Sequence, residues 1–336
     1  MRILLWHVHG SWTTAFVQGP HEYLVPVLPG RPADGRGRAR TWDWPPSVRE
    51  VSPGAVRRAF DAGEIDVVVL QRPHEVDLVE EWTGRRVGLD VPAVYLEHST
   101  PAGPAAETRH PVADLDVVRS GHVPIVHVTA FNALMWDTGR AQTYVIDHGV
   151  PDPGVLATGE RPHLALVVNE PVRRWRVAGT DVLLRIARDV PMEVYGMGTE
   201  ALAPHLAAQS DVGAASAERL YDHPQSVLHE RLAGARAYLH PFRWTSLGLS
   251  LLEAMAVGLP VLALPVTAAH EAVPPHAGFL SANPAELVAV ALRWLADPGE
   301  AAAIGKAARD HVLTRYPLDR FLDRWNDLLH RDVTPC

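Results

Sequence analysis

His240-Pro241-Phe242-Arg243-Trp244-Thr245-Ser246-Leu247-Gly248-Leu249-Ser250-Leu251-Leu252-Glu253-Ala254-Met255-Ala256-Val257-Gly258-Leu259-Pro260-Val261-Leu262-Ala263 is the stretch that decides the fold. An apolar run, Ala237-Tyr238-Leu239, leads into a short polar loop, then an apolar helical pattern, then a Gly258-x-Pro260 exit into a second strand. The helix carries a single carboxylate, Glu253, on an otherwise apolar surface. A buried carboxylate without partners is costly, so Glu253 is expected to hold something polar. The preceding loop presents backbone N–H groups and a helix N-terminus, where an anion settles. A phosphate beside a hydroxyl-bearing group, as in a nucleotide-sugar, satisfies both features.

The segment Pro241–Val261 resembles the donor-site signature of family-4-like glycosyltransferases of the GT-B fold (glycosyl transferases group 1), "P-S-x-x-E-G-F-G-L-x-x-L-E-A-M-A-x-G-x-P-V". The match is specific from Gly248-Leu249 through Val261, whereas Thr245 stands where the family has its first glutamate. The resemblance implies that Glu253 holds the ribose and that the 245–248 loop (Thr245, Ser246, Leu247, Gly248) meets the donor sugar and its phosphates. It implies an α/β fold of two Rossmann-like domains facing a central cleft, with a C-terminal helix crossing back to the N-domain. Retention of anomeric configuration and no obligatory metal are further implications. A satisfied core glutamate in an ordinary strand-helix-strand unit is the plainer alternative.

Length and composition agree with a two-domain soluble protein. The 336 residues exceed one ordinary core, and 47 % hydrophobic with 21 % charged residues reads as globular. No apolar run is long enough to span a bilayer, and the chain opens on a strand rather than a signal-peptide layout. A formal charge of −8 argues against nucleic acid as a partner. The single cysteine, Cys336, excludes an intramolecular disulfide and a cysteine metal cluster, and a reducing cytoplasm is the natural expectation. Arginine replaces lysine almost throughout, Lys306 being the exception, as a GC-rich bacterial genome would produce.

Strands alternate with helical patterns, which predicts parallel sheets built from β-α-β units. Predicted strands are Arg2–Val8, 65–70, Ala93–Glu97 and 125–128 in the first half, and 164–168, Met192–Tyr195, 237–240 and 261–264 in the second. Tyr144–Pro151 resembles the segment joining the two domains of these transferases, giving an acceptor-binding domain over 1–150 and a nucleotide-sugar-binding domain over 151–312. Residues 313–336 are expected to form the returning helix, because Tyr316–Leu329 is amphipathic at helical spacing. Residues 29–46, rich in Gly, Pro and Arg, read as a mobile loop whose Trp42 and Trp44 either stack on an acceptor ring or pin the loop.

Positive charge for a departing diphosphate must come from Arg or Lys and a helix dipole if no metal supplies it. The family's lysine position is Ala178 here, but Arg173-Arg174-Trp175-Arg176 lies just upstream, and Arg173 then Arg176 are the expected phosphate ligands. His98 follows a buried strand, where ligands collect in doubly wound sheets, and the family places a histidine there beside the donor sugar. It is the expected catalytic residue, with His74 as a weaker choice. His7 and His9 alternate on the first strand and share a face, without a third metal ligand in view. Gly10 and Thr13 open the first helix, in the loop such enzymes use near diphosphate and acceptor. Gly196 and Gly198 form the family's G-x-G bordering the nucleotide, and Asp222 is expected near the base.

The expected reaction moves a sugar from a nucleoside-diphosphate sugar, the only co-substrate and no cofactor, to an acceptor hydroxyl. The acceptor itself is not legible, and a loose basic surface over 31–40 leaves peripheral membrane contact open. A nucleotide-sugar epimerase and a catalytically degenerate subunit that binds nucleotide-sugar or a partner protein are the competing readings; Thr245 and Ala178 favour the latter.

Overall fold

The computed structural model describes residues 1–104, 106–208 and 220–333; Cys336 lies outside the described residues. The chain divides into two units, Met1–Gly149 with Leu318–Cys336, and Val150–Pro317.

The first unit is built on a parallel sheet of β1 (Arg2–Leu5), β2 (Glu22–Pro26), β3 (Val48–Val51), β4 (Val67–Leu70), β5 (Ala93–Glu97), β6 (Ile125–His127) and β7 (Thr143–Val145), in the order β3-β2-β1-β4-β5-β6-β7. The central strands are the continuous apolar runs: β4 is buried along its whole length, as helices on both faces of a parallel sheet require. Leu4 pairs with Leu24 on one side and Val68 on the other. The first strand stops at Leu5, short of the predicted Val8, so His7 and His9 lie beyond the ladder and go to different neighbours. Strands β2, β3 and β7 were not predicted. The sequence of β3, Val-Arg-Glu-Val, belongs to a solvated edge and lacks an apolar run.

The second unit holds a parallel sheet of β8 (Arg161–Val167), β9 (Met192–Tyr195), β10 (Leu220–Tyr221), β11 (Ala235–His240), β12 (Val261–Ala263) and β13 (Gly278–Leu280), ordered β10-β9-β8-β11-β12-β13. Tyr238 on the fully buried β11 pairs with Ala165 and Val261. The short edge strands β10 and β13 escaped prediction because two or three residues carry no period. Helix Leu249–Val257 ends at Gly258, whose φ of 104° is a left-handed cap open to glycine at little cost.

The last helix, Leu318–Arg331, packs on the first unit through Phe321, Trp325, Leu328 and Leu329, with Trp325 ring centroids 5.5 Å from Trp12 and 5.2 Å from Phe16. It begins at Leu318 rather than at 313, because residues 313–315 complete the helix Pro298–Arg315. Gly149 makes room for it: a Cβ there would stand 2.5 Å from Phe321 Cβ.

The 29–46 segment is tied down rather than loose. Arg38 donates to the carbonyls of Pro45 (3.0 Å), Trp44 (2.6 Å) and Val48, and Arg31 pairs with Glu50. Trp44 is buried, with its Nε1 donating to Thr14 Oγ1 at 2.8 Å, so it pins the loop and is not available to stack on a ligand. Trp42 lies against Gly10, where a Cβ would stand 2.5 Å from its ring.

Candidate functional sites at the two sheet switch points

In each sheet the strand order reverses at one point, between β8 and β11 in the second unit and between β1 and β4 in the first. The crevice outside the carboxyl ends of such strands is where open α/β sheets bind ligands.

In the second unit, the loops leaving β8 and β11 are sewn together. Arg243 N and Trp244 N both donate to Val177 O, at 3.0 and 3.4 Å, and Arg243 grips Asp181 through both guanidinium nitrogens, one of them at 2.7 Å. Gly179, at φ 69°, lets the loops touch: a Cβ there would lie 2.7 Å from the carbonyl carbon of Pro241 and nearer still to its oxygen. Thr180 Oγ1 closes the base of the turn by donating to Pro171 O at 2.6 Å.

The helix that follows carries Glu253, half-buried and accepting from Gln225 Nε2 at 3.2 Å. Gln225 opens the helix Gln225–Gly234 and lies 2.8 Å from His229 Nε2, so one amide holds the carboxylate from the side. Helix Leu249–Val257 begins at Gly248 with no side-chain cap. Ser246 and Leu247 are buried, with the Ser246 carbonyl accepting from Ala268 N at 3.2 Å, whereas Thr245 is half-exposed. Beneath the loop lies His240, 3 % exposed, stacked on Phe242 at 4.6 Å, with Nδ1 lacking a hydrogen-bond partner. Burial alone lowers its pKa to about 3, so the ring is neutral. A Cβ on Gly248 would stand 2.7 Å from His240 Nε2, so glycine is required there by the ring packed below.

The three arginines separate. Arg173 is exposed and salt-bridged to Glu170, and Arg176 is exposed beside a shallow pocket shared with Trp175, Asp181 and Arg243. Arg174 is half-buried with its guanidinium 5.6 Å above the Phe242 ring, and it makes no ion pair among the described residues; burial lowers its pKa. Sequence reasoning passed over Arg174, since a turn has no period to say which of three neighbouring arginines faces inward. His240, the last residue of β11, and Gln225, the first residue of its helix, were missed because the periodicity of an element does not show what its end residues touch.

Gly196 and Gly198 close the β9 end. Gly196, at φ 125°, would place a Cβ 2.8 Å from Asn169 Oδ1, and that oxygen accepts Met197 N at 3.0 Å. The closeness this glycine permits is to the neighbouring loop. Gly198 meets only ordinary contacts with Glu170. Asp222 is exposed just after the edge strand β10, two strands beyond β8 and three residues before Gln225, whose amide reaches Glu253. Its neighbour Tyr221 stacks on Tyr195 and His223 at 5.6 and 5.4 Å.

In the first unit, His98 sits half-buried at the end of β5. Its Nε2 lies 3.1 Å from Gln71 Oε1, and Gln71 Nε2 donates to Trp6 O at 2.7 Å. The Gln71 amide is thereby fixed, so its oxygen accepts from His98 Nε2–H and Nδ1 becomes the acceptor. His9 stacks on the same ring at 3.9 Å and Trp12 meets it edge-on at 5.3 Å. Burial first, then His9 and His148, holds His98 well below the usual histidine range. His148 is itself buried, with its pKa lowered to about 4. His7 does not join His9: its Nδ1 is 3.1 Å from Gly37 O, and its ring packs on Trp44. Among the described residues no group of three or more His, Cys, Asp or Glu is arranged to hold a metal ion. His74 is engaged with Asp34 at 2.9 Å.

The other expectations at this end change. Thr13 is fully buried and its hydroxyl donates to His9 O at 2.8 Å, so it faces the protein rather than a ligand. The close approach that Gly10 permits is taken by Trp42. Sequence spacing shows which residues follow a strand but not which side chains the loop turns inward.

Residues 173–297 match the family described as glycosyl transferases group 1. No curated protein matches the sequence. Among solved structures, sucrose-phosphate synthase from Thermosynechococcus elongatus is similar at 15 % identity and a TM-score of 0.70, covering 98 % of each chain. HepE from Anabaena, in complex with UDP and glucose, is similar at 16 % identity and a TM-score of 0.70, covering 98 % of this chain and 100 % of that one. S. aureus TarM, in a complex that includes UDP, is similar at 14 % identity and a TM-score of 0.62, with 79 % of this chain and 55 % of that one covered. The chain spans about half the length of the TarM structures it matches. These likenesses establish the GT-B fold, and no helix of the described residues is long and apolar enough to cross a membrane.

Proposed function

We propose that this chain, a glycosyltransferase of the GT-B, family-4-like kind with a group 1 segment over residues 173–297, moves a sugar from a nucleoside-diphosphate sugar to an acceptor hydroxyl, with retention and without a metal. The observation that carries this reading is the β8/β11 switch point, whose following loops and helix carry a half-buried carboxylate, an uncapped helix N-terminus and a half-buried arginine.

Each part has a chemical task. Glu253, held from the side by Gln225, accepts hydrogen bonds from the two ribose hydroxyls. The first turn of helix Leu249–Val257 and the loop before it receive the diphosphate, whose charge the helix dipole favours. Arg174, lying on Phe242, supplies fixed positive charge for the leaving diphosphate, with Arg176 and Arg173 at the exposed side. Arg173 must leave Glu170 to take part, which places it last. In the first unit, neutral His98 offers Nδ1 to a substrate hydroxyl, its tautomer set by Gln71.

Glu253→Ala tests the assignment. A charge-assisted pair with a hydroxyl is worth about 1.5–3 kcal/mol, so nucleotide affinity should fall at least about tenfold. Near-normal affinity in a folded variant would remove Glu253 from the ribose role. Turnover insensitive to a chelator, with product of unchanged anomeric configuration, tests the metal-free and retaining parts. A second reading, a degenerate subunit that binds nucleotide without turning it over, is favoured by Thr245 and Ala178 at the positions where the family carries charge.

A further inference from the structure

A cavity of about 700 Å³ opens on the first unit beside the carboxyl end of β1, lined by His7, Gly30 and four arginines, Arg31, Arg36, Arg38 and Arg40. None of its lining residues belongs to the proposed donor site. Its wall is a folded-back loop: Val27 bridges Arg36 antiparallel, Leu28 N donates to Gly35 O at 3.0 Å and Gly37 N to Pro26 O at 2.9 Å. The cradle is therefore shaped before any ligand arrives, which lowers the ordering cost of binding.

The charges inside it are unevenly matched. Arg31 is committed to Glu50, at 2.7 and 3.1 Å. Arg38 is held by three backbone carbonyls, which fix its guanidinium without neutralising it. Arg36 and Arg40 are exposed and form no ion pair among the described residues. Asp34, one of the two carboxylates of the loop with Asp43, is engaged with Arg72 and His74. Arg36 and Arg40 are thus uncompensated, and Arg38 shares the one Glu50 carboxylate with Arg31, so positive charge exceeds negative in this one concavity of a chain of net charge −8. Guanidinium is the side chain suited to phosphate oxygens.

His7 adds a second kind of contact. Its Nδ1 faces Gly37 O and donates to it, which leaves Nε2 as an acceptor. An acceptor nitrogen repels a phosphate oxygen but receives a hydroxyl.

We infer that this cavity binds a phosphate-bearing polyol or sugar, with Arg36, Arg38 and Arg40 on the phosphate and His7 Nε2 accepting from a neighbouring hydroxyl. Under the function proposed above, on which the word acceptor rests, this makes the acceptor a phosphorylated molecule. A soluble phosphosugar and a phosphorylated lipid headgroup present the same phosphate chemistry to the arginines.

The test is direct binding, independent of turnover. Glucose 6-phosphate is titrated calorimetrically into the full chain, vesicles of phosphatidylglycerol in phosphatidylcholine are co-sedimented with it, and UDP is titrated in parallel. The variant is Arg36→Gln with Arg40→Gln, two exposed positions away from the core. Saturable glucose 6-phosphate binding, weakened at least about tenfold in the variant with UDP affinity unchanged, is the expected result. Retention on anionic vesicles alone, lost in the variant, supports the site and assigns the phosphate to a lipid headgroup. Binding of neither probe, or equal binding by wild type and variant, overturns the inference. Loss of UDP binding with glucose 6-phosphate binding intact would sink the donor-site reading and leave this one standing.

Discussion

Replacing Gly248 with alanine probes how the proposed donor loop is supported. The backbone there, φ −72° and ψ 117°, suits alanine, so no conformational strain is added. The added methyl would stand 2.7 Å from His240 Nε2 and closer to Cε1. The ring has no easy escape, since it is 3 % exposed and stacked on Phe242 at 4.6 Å. Overpacking of this kind costs about 1–3 kcal/mol. Fewer unfolded conformations return about 0.4–1 kcal/mol, and alanine, a poorer N-cap than glycine, takes back a similar amount. The net expectation is a destabilisation of about 1–2 kcal/mol, with weaker UDP binding because the 245–248 backbone must shift. Urea unfolding followed by tryptophan fluorescence measures the first and calorimetry the second. In the double variant His240→Ala with Gly248→Ala the clash is gone, so the two changes should couple by at least about 1 kcal/mol. Additivity within about 0.3 kcal/mol would show that His240 does not support the loop, and the reasoning would fail.

Other expectations follow from the same contacts. Gly179→Ala combines a left-handed backbone with a clash against the Pro241 carbonyl, a rigid partner, and should cost about 3 kcal/mol or more in urea unfolding; a loss below about 1 kcal/mol would deny the seam between the two loops. His240 has a folded pKa of about 3 against an ordinary value near 6.5, so its neutral form is the one buried. Its share of stability is complete above about pH 6.5 and is lost as pH falls toward 3, by about 1.4 kcal/mol per unit. Wild type should therefore lose on the order of 2–3 kcal/mol more than His240→Leu between pH 6.5 and 4.5, and parallel pH profiles would contradict the burial of a neutral ring.

The fold was legible where sequence signals were long. Buried central strands such as Val67–Leu70 and Met192–Tyr195 are apolar runs between turns, and the helix from Leu249 to Gly258 carries both its pattern and its cap. Edge strands were not, because Val-Arg-Glu-Val or a two-residue Leu-Tyr has no period to detect. At the site, Glu253 stood out as a charge in an apolar helix, and Gly248 through the resemblance of Gly248–Val261 to the donor-site signature. Which arginine of the 173–176 turn lies against Phe242, and that Thr13 spends its hydroxyl on His9 O, depend on loop paths that tertiary contacts set. The basic loop misread as mobile shows the same limit: Arg38 finds its three carbonyls only once Pro45, Trp44 and Val48 have been folded around it.

The central claim is that the second unit binds a nucleoside diphosphate at the β8/β11 switch point. The most direct measurement is a thermal-shift panel of UDP, GDP, ADP and dTDP with their common sugar conjugates. A ligand at about 100 times its dissociation constant should add about 2.7 kcal/mol, a rise of a few degrees in the melting temperature. One nucleotide standing clear of the others, with its shift cut to about half or less in Glu253→Ala, is the predicted result. A flat panel in a protein that melts cooperatively would contradict the claim.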